Sequence, residues 1–168
     1  KTGISPRYPF VEAMVGAASL YAFMRHGLSL EFFSEAGFII AMVALVFIDY
    51  DHRILPNVIT LPGTTVGLLL AWPREAITVK EALLGAALGA GLLFLVSEVY
   101  FRLRKLEGLG MGDIKMMGMV GAFLGWKGVL LTLFLGSLLG SIIGVGLMVA
   151  RGKDLKSALP FGTFLGIA

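Results

Sequence analysis

Seven stretches of this chain contain no charged side chain, and their lengths constrain the fold more than any other feature of the sequence. They cover residues 13–24, 36–48, 54–73, 82–97, 116–126, 128–150 and 157–168. Hydrophobic residues make up 57% of the 168 residues and charged residues 15%, against roughly 45–50% and about 25% in soluble domains. A soluble fold of this size has too much surface to hide so many apolar side chains. The composition therefore excludes an ordinary soluble enzyme, a disordered chain and a nucleic-acid-binding domain.

The seven stretches predict an all-α, polytopic integral membrane protein with about seven transmembrane helices. A spanning helix needs about 20 residues to cross a hydrocarbon core of roughly 30 Å, and only 54–73 and 128–150 reach that length without charges. The other five must take charged residues into their ends, where long side chains reach the interface. The shortest stretch, 116–126, spans the core only if its helix begins near Leu106.

The placement of lysine and arginine predicts the orientation, because cytoplasmic loops carry an excess of these residues. With the N-terminus inside and seven alternating helices, ten of them lie inside, and the four outside are Arg25, Arg74, Lys80 and Lys127. Asp49, which ends the second helix, and Asp113, which starts the fifth, then both lie at the cytoplasmic side. With the fifth helix extended to Leu106, Asp113 lies about 10 Å inside the cytoplasmic edge. A carboxylate at that depth indicates a functional site.

Two acids on one side of the membrane suggest a specific chemistry. Carboxylates that come together cannot both ionise cheaply, so they share a proton. Such a dyad can activate water with one member and protonate a scissile carbonyl with the other. A structural explanation stays open for Asp113, because an acid near a helix N-terminus also interacts favourably with the helix dipole.

Five neighbours of the two acids are candidate substrate-binding or supporting residues: Gly110, Gly112, Lys115, Asp51 and Pro56. Gly110 and Gly112 lack a β-carbon and would let backbone approach a substrate strand closely. Lys115 either steadies the ionised aspartate or extends its amine to the interface. Asp51 is a rival for the first acidic position, or else a solvated loop charge. We predict no metal site, because His52 has no second ligand nearby and the chain has no cysteine.

Five motifs follow one another along the chain. They are the opening Ile4-Ser5, Arg7-Tyr8-Pro9 and Val11-Glu12, then Ile48-Asp49 with Leu55-Pro56-Asn57, then Leu61-Pro62-Gly63, then Gly110-Met111-Gly112-Asp113 with Lys115, and finally Pro160-Phe161-Gly162. In this order they resemble the bacterial type IV prepilin peptidases, whose Gly-x-Gly-Asp signature marks a family of membrane aspartic proteases. The resemblance covers nearly the whole chain.

The resemblance implies a function and a site. Members of this family cleave the short basic leader from type IV prepilins and type II secretion pseudopilins at the cytoplasmic face of the bacterial inner membrane. It implies that Asp49 and Asp113 are the catalytic pair, since the family's first aspartate precedes a proline by seven residues, as Asp49 precedes Pro56. Residues 1–168 are then expected to form one transmembrane aspartic peptidase domain whose cleavage reaction requires no cofactor.

Many members of this family also carry a cytoplasmic domain with two Cys-x-x-Cys pairs that bind zinc, and they methylate the new N-terminus with S-adenosylmethionine. This chain has no cysteine, and the last family cysteine would stand immediately before Lys1. We therefore expect that the chain is a fragment and that zinc and S-adenosylmethionine belong to a domain outside it.

Three other interpretations remain open at this stage. A proton or cation transporter component would use Asp49 and Asp113 as a relay, although no inverted repeat is visible. A structural subunit of a secretion assembly would need no chemistry. The archaeal preflagellin peptidases are a related family, but the opening and Leu-Pro-Gly motifs fit the bacterial type better.

Overall fold

The computed structural model describes residues 7–74, 76–106, 109–151 and 161–168, and within them it contains helices and no strand. The helices are α1 (Arg7–His26), α2 (Leu30–His52), α3 (Asn57–Leu70), α4 (Val79–Arg104), α5 (Met111–Arg151) and α6 (Phe161–Ile167). Gly125 interrupts α5 with a non-helical φ of 70° and ψ of −177°. Because this break divides α5 into two helical segments, the described residues contain seven, and the predicted all-α membrane fold is confirmed.

The fifth helix begins later than its sequence predicts. Lys105 adopts a left-handed φ of 56° and ends α4 by donating its backbone N–H to the carbonyl of Phe101. The chain then bends, and α5 starts only at Met111, after Gly110. The extension of this helix back to Leu106 is therefore wrong. Asp113 lies in the first turn of α5, so the predicted depth of about 10 Å loses its basis.

The uncharged stretch 54–73 also forms a shorter helix than predicted. Its helix, α3, has 14 residues, which corresponds to a length of about 21 Å. Pro56 delays its start, because proline disfavours helical backbone in the residue before it. Pro73 restricts Trp72 in the same way at the other end. The prediction that this stretch reaches the full spanning length is therefore wrong.

Three of the described helices are long and apolar enough to cross a membrane: Leu30–His52, Val79–Arg104 and Met111–Gly146. Asn57–Leu70 is also apolar but shorter. These helices agree with a multi-pass membrane protein, while the full set of seven crossings stays a prediction.

Glycines bring α4 and α5 into close contact. A β-carbon on Gly85 would collide with the carbonyl oxygen of Gly121, and one on Gly121 would collide with that of Gly85. Lipid offers no hydrophobic driving force between helices, so close backbone packing of this kind stabilises membrane bundles. The hydrophobic core cluster includes the fully buried side chains Leu45, Met116, Met117, Met119, Val120, Val129 and Leu165. They belong to α2, α5 and α6, the three helices that build the site described below.

Because α4 is 26 residues long, we expect its two ends to lie on opposite sides of the membrane. The chain has no native cysteine, so Ala76→Cys and Arg104→Cys each introduce a single exposed thiol. A membrane-impermeant maleimide should label one variant in right-side-out vesicles and the other in inverted vesicles. Labelling of both thiols from the same side would contradict a membrane-spanning α4.

Candidate active site

Asp49 lies in the last turn of α2 and is 5% exposed. The helix ends at Arg53, whose left-handed backbone directs its N–H to the carbonyl of Asp49 at 2.7 Å. Pro56 then begins α3, and its carbonyl accepts the N–H of Ile59 at 3.1 Å and that of Thr60 at 3.3 Å. The turn after α2 is therefore held by backbone hydrogen bonds on both sides of Pro56.

Asp113 is 8% exposed in the first turn of α5. Its N–H donates to the carbonyl of Gly110 at 3.1 Å. A β-carbon on Gly112 would lie 2.8 Å from the β-carbon of Leu55. Gly112 thus lets α5 approach the segment after α2, which is a different use from the predicted contact with a substrate strand. Gly110 is exposed, so its backbone stays accessible for that contact.

The structure brings the two predicted carboxylates together across Gly162, the second residue of α6. A β-carbon at Gly162 would lie 2.8 Å from Asp113 Oδ1 and 3.0 Å from Asp49 Oδ2. The two oxygens are therefore less than about 6 Å apart, within the range of about 4–6 Å over which charges strongly affect one another. Two buried carboxylates at this separation cannot both carry a full charge cheaply, so the arrangement can share a proton.

Thr163 contacts the carboxylate of Asp49, which the sequence motifs do not predict. Its backbone N–H donates to Asp49 Oδ2 at 2.6 Å, and its hydroxyl donates to the same oxygen at 2.8 Å. Thr163 is itself buried, so both hydrogen bonds are shielded from water. The sequence feature that could have indicated this contact is a hydroxyl side chain in an otherwise apolar run directly after Pro160-Phe161-Gly162.

Lys115 contacts neither aspartate among the interactions of the described residues. Its Nζ donates to Asn57 Oδ1 at 2.9 Å, which joins the first turn of α5 to the first residue of α3. The amine of Lys115 is thus engaged with a neutral amide, and a role in steadying an ionised aspartate stays a prediction. The hydrogen bond to Asn57 braces two helices at the end of the bundle that carries the dyad.

Asp51 is exposed, whereas Asp49 is buried against Gly162 and Thr163. Two residues along an α-helix correspond to a rotation of about 200°, so the two side chains point in nearly opposite directions. Between these two candidates, the geometry therefore favours Asp49 as the partner of Asp113.

Among the residues that the structure describes, no group of three or more His, Asp or Glu side chains could hold a metal ion. The expectation that zinc and S-adenosylmethionine belong to a domain outside this chain stays a prediction.

Comparison with known proteins places this site in a family. The sequence profile of the Type IV leader peptidase family matches residues 36–145, which include both aspartates and Gly110-Met111-Gly112. Residues 161–163 lie outside the matched range. No solved structure matches the chain.

Individual relatives match over most of the chain. A protein of Pseudomonas putida named "Prepilin leader peptidase/N-methyltransferase" is 36% identical over 168 residues, which are 100% of this chain and 58% of the relative. Proteins with the same name from Legionella pneumophila and Myxococcus xanthus are 34% and 35% identical over 98% and 89% of this chain, and over 57% and 45% of their own lengths. The chain thus spans between about half and three fifths of the length of these relatives. By its profile match and these identities, the chain belongs to the Type IV leader peptidase family.

Proposed function

We propose that this chain is an aspartic endopeptidase that cleaves the basic leader from type IV prepilins and type II secretion pseudopilins. The observation that carries the proposal is the pair of buried carboxylates, Asp49 and Asp113, on either side of Gly162. The names of the relatives support a prepilin leader as the substrate. The family match also supports a peptidase over the transporter alternative.

The proposed reaction needs one water molecule between the two carboxylates. Asp49 accepts both hydrogen bonds of Thr163, and donors of this kind favour a charged carboxylate. We therefore assign the shared proton to Asp113. Asp49 takes a proton from the water while the water oxygen attacks the peptide carbonyl carbon. At the same time Asp113 gives its proton to the carbonyl oxygen. The C–N bond then breaks, the leaving amine receives the proton held by Asp49, and Asp113 regains the hydroxyl proton from the tetrahedral intermediate.

We further propose that the reaction takes place at the cytoplasmic face of the bacterial inner membrane. The predicted excess of Lys and Arg on the side that carries both aspartates supports this orientation. We assign N-methylation, with zinc and S-adenosylmethionine, to residues outside this chain. Zinc sites of the type that the family resemblance implies need cysteine thiolates, which the chain lacks.

Removing either carboxylate should abolish leader cleavage. Asp49→Asn and Asp113→Asn keep the side-chain shape but cannot exchange a proton, so each should lower kcat by at least about 10²–10⁴-fold. The measurement is cleavage of a purified prepilin in detergent, followed by mass spectrometry of the released leader. Asp51→Asn is the matched control and should keep nearly full activity, because Asp51 is exposed. Full activity in either variant of the pair would rule out the dyad.

Thr163 should act as a positioning residue for Asp49. Thr163→Val removes the hydroxyl donor but keeps the backbone N–H, so kcat should fall by about tenfold while KM stays constant. Thr163→Ser keeps the hydroxyl and should restore most of the lost kcat. A variant that changed KM alone, or a serine variant no better than valine, would argue that Thr163 has only a packing role.

Adding one methyl group at Gly162 should separate the carboxylates. In Gly162→Ala the new β-carbon would contact Asp113 Oδ1 and Leu55 Cδ1 at less than 3 Å, so the aspartates must move apart. A displacement of about 1 Å in a catalytic group can cost about a hundredfold in rate. Gly118→Ala is the control, because the nearest atom to its β-carbon lies at an ordinary 3.6 Å. Equal cleavage rates in the two variants would contradict the close packing of α6 on the dyad.

A further inference from the structure

A cavity of about 450 Å³ lies at the end of the bundle opposite the aspartates. The ionisable side chains in its lining are Arg25, His26, Glu31, Glu35 and Arg74, and the apolar ones come mainly from α2 and from the residues of α5 just before the break at Gly125. Ser34, which lines it, precedes Asp49 by 15 residues of one continuous helix, or about 22 Å. The cavity is therefore separate from the proposed active site.

Buried hydrogen-bond donors without acceptors line one wall of this cavity. Ser34 is 2% exposed, and its hydroxyl has no hydrogen-bond partner in the described part of the chain. The same is true of two buried guanidinium nitrogens of Arg74, Nε and Nη1. A buried polar group without a partner costs about 1–3 kcal/mol, and more when it is charged. Three such atoms around one cavity indicate an acceptor supplied by a ligand.

The positive charge of Arg74 and its two unpartnered nitrogens favour an anionic acceptor, which would share the cavity with the carboxylates of Glu31 and Glu35. Burial lowers the pKa of the Arg74 guanidinium, although the charges of Glu31 and Glu35 act in the opposite direction. Glu35 is also engaged by His26, whose Nε2 lies 2.9 Å from its carboxylate. An oxyanion placed between Ser34 and Arg74 would satisfy the unpaired donors in a bidentate arrangement that guanidinium groups favour.

Part of the cavity lining forms an apolar wall. The rings of Phe38 and Phe123 stack with their centroids 4.8 Å apart, and Ile39 and Leu124 lie beside them. A small soluble anion would leave this wall without a partner. A ligand that joins an oxyanion to a hydrocarbon chain would contact both walls.

The level of the cavity in the membrane fits the same kind of ligand. Trp72 and Trp126 are 84% and 37% exposed at this end of the helices, where tryptophan marks the boundary between hydrocarbon and water. Lipid phosphates lie at this boundary, with their acyl chains directed toward the bilayer centre.

We propose that this cavity binds a phospholipid of the leaflet that faces it, with the lipid phosphate on Arg74 and Ser34 and the first acyl carbons on Phe38 and Phe123. The site lies away from the dyad and does not depend on the proposed peptidase function.

Native mass spectrometry of the protein purified from its membrane tests this proposal. The probe is a diacyl phosphatidylglycerol titrated in detergent, and the fraction of protein carrying one lipid is measured. Loss of a charge-assisted bidentate contact should weaken binding by about tenfold or more in Arg74→Gln. Arg74→Lys keeps the charge without the two-pronged geometry and should bind with intermediate affinity. Arg104→Gln, at the exposed end of α4, is the matched control and should bind like the unmodified protein.

A second variant and a titration with inorganic phosphate complete the test. Ser34→Ala removes one hydroxyl from a buried position that alanine fits, and it should weaken lipid binding. This variant tests the site independently if Arg74→Gln fails to fold. Inorganic phosphate, added at millimolar concentration without lipid, should not raise the melting temperature. A rise that disappears in Arg74→Gln would instead assign the site to a soluble anion and overturn the lipid. Equal lipid binding in Arg74→Gln, Ser34→Ala and Arg104→Gln would overturn the site altogether.

Discussion

Two acidic side chains that would repel one another in their charged forms are buried side by side at one end of an apolar bundle. Asp49 arrives from the end of α2 and Asp113 from the start of α5, and Gly162 of α6 lies between them. Their proximity is tolerable because Thr163 hydrogen-bonds one carboxylate and the pair can share a proton. The arrangement depends on the positions of three helices, because α2 and α5 carry the carboxylates and α6 supplies Gly162 and Thr163 beside them.

Glycines, which have no side chain, make that arrangement sterically feasible. Gly112 lets α5 approach Leu55, Gly162 lets α6 approach both aspartates, and Gly85 lets α4 contact the backbone at Gly121. In water such contacts would be secondary to the hydrophobic effect, but in lipid close van der Waals packing is a main source of helix association. Close packing at these glycines therefore stabilises the same contacts that position the proposed chemistry.

The two ends of the bundle bury polar groups of opposite kinds, acceptors at one end and donors at the other. At one end, the buried carboxylate of Asp49 accepts two hydrogen bonds from Thr163 of this chain. At the other end, Arg74 and Ser34 are buried donors whose acceptors the described residues do not supply. The first pattern is typical of a catalytic group and the second of a ligand site. Their separation by most of the length of α2 lets each be altered without contact with the other.

The amino-acid sequence by itself determined the fold class and the family, because apolar lengths and ordered motifs are local properties of the chain. It could not determine where α3 and α5 begin, since Pro56 and the bend after Lys105 shorten helices that hydropathy alone would extend. It also could not identify Thr163 or the partner of Lys115. A hydrogen bond between Thr163 and Asp49 joins residues 114 positions apart, and only the packing of α6 against α2 creates it. Likewise, the cavity at Arg74 exists only because α1, α2 and the segment after α3 converge there.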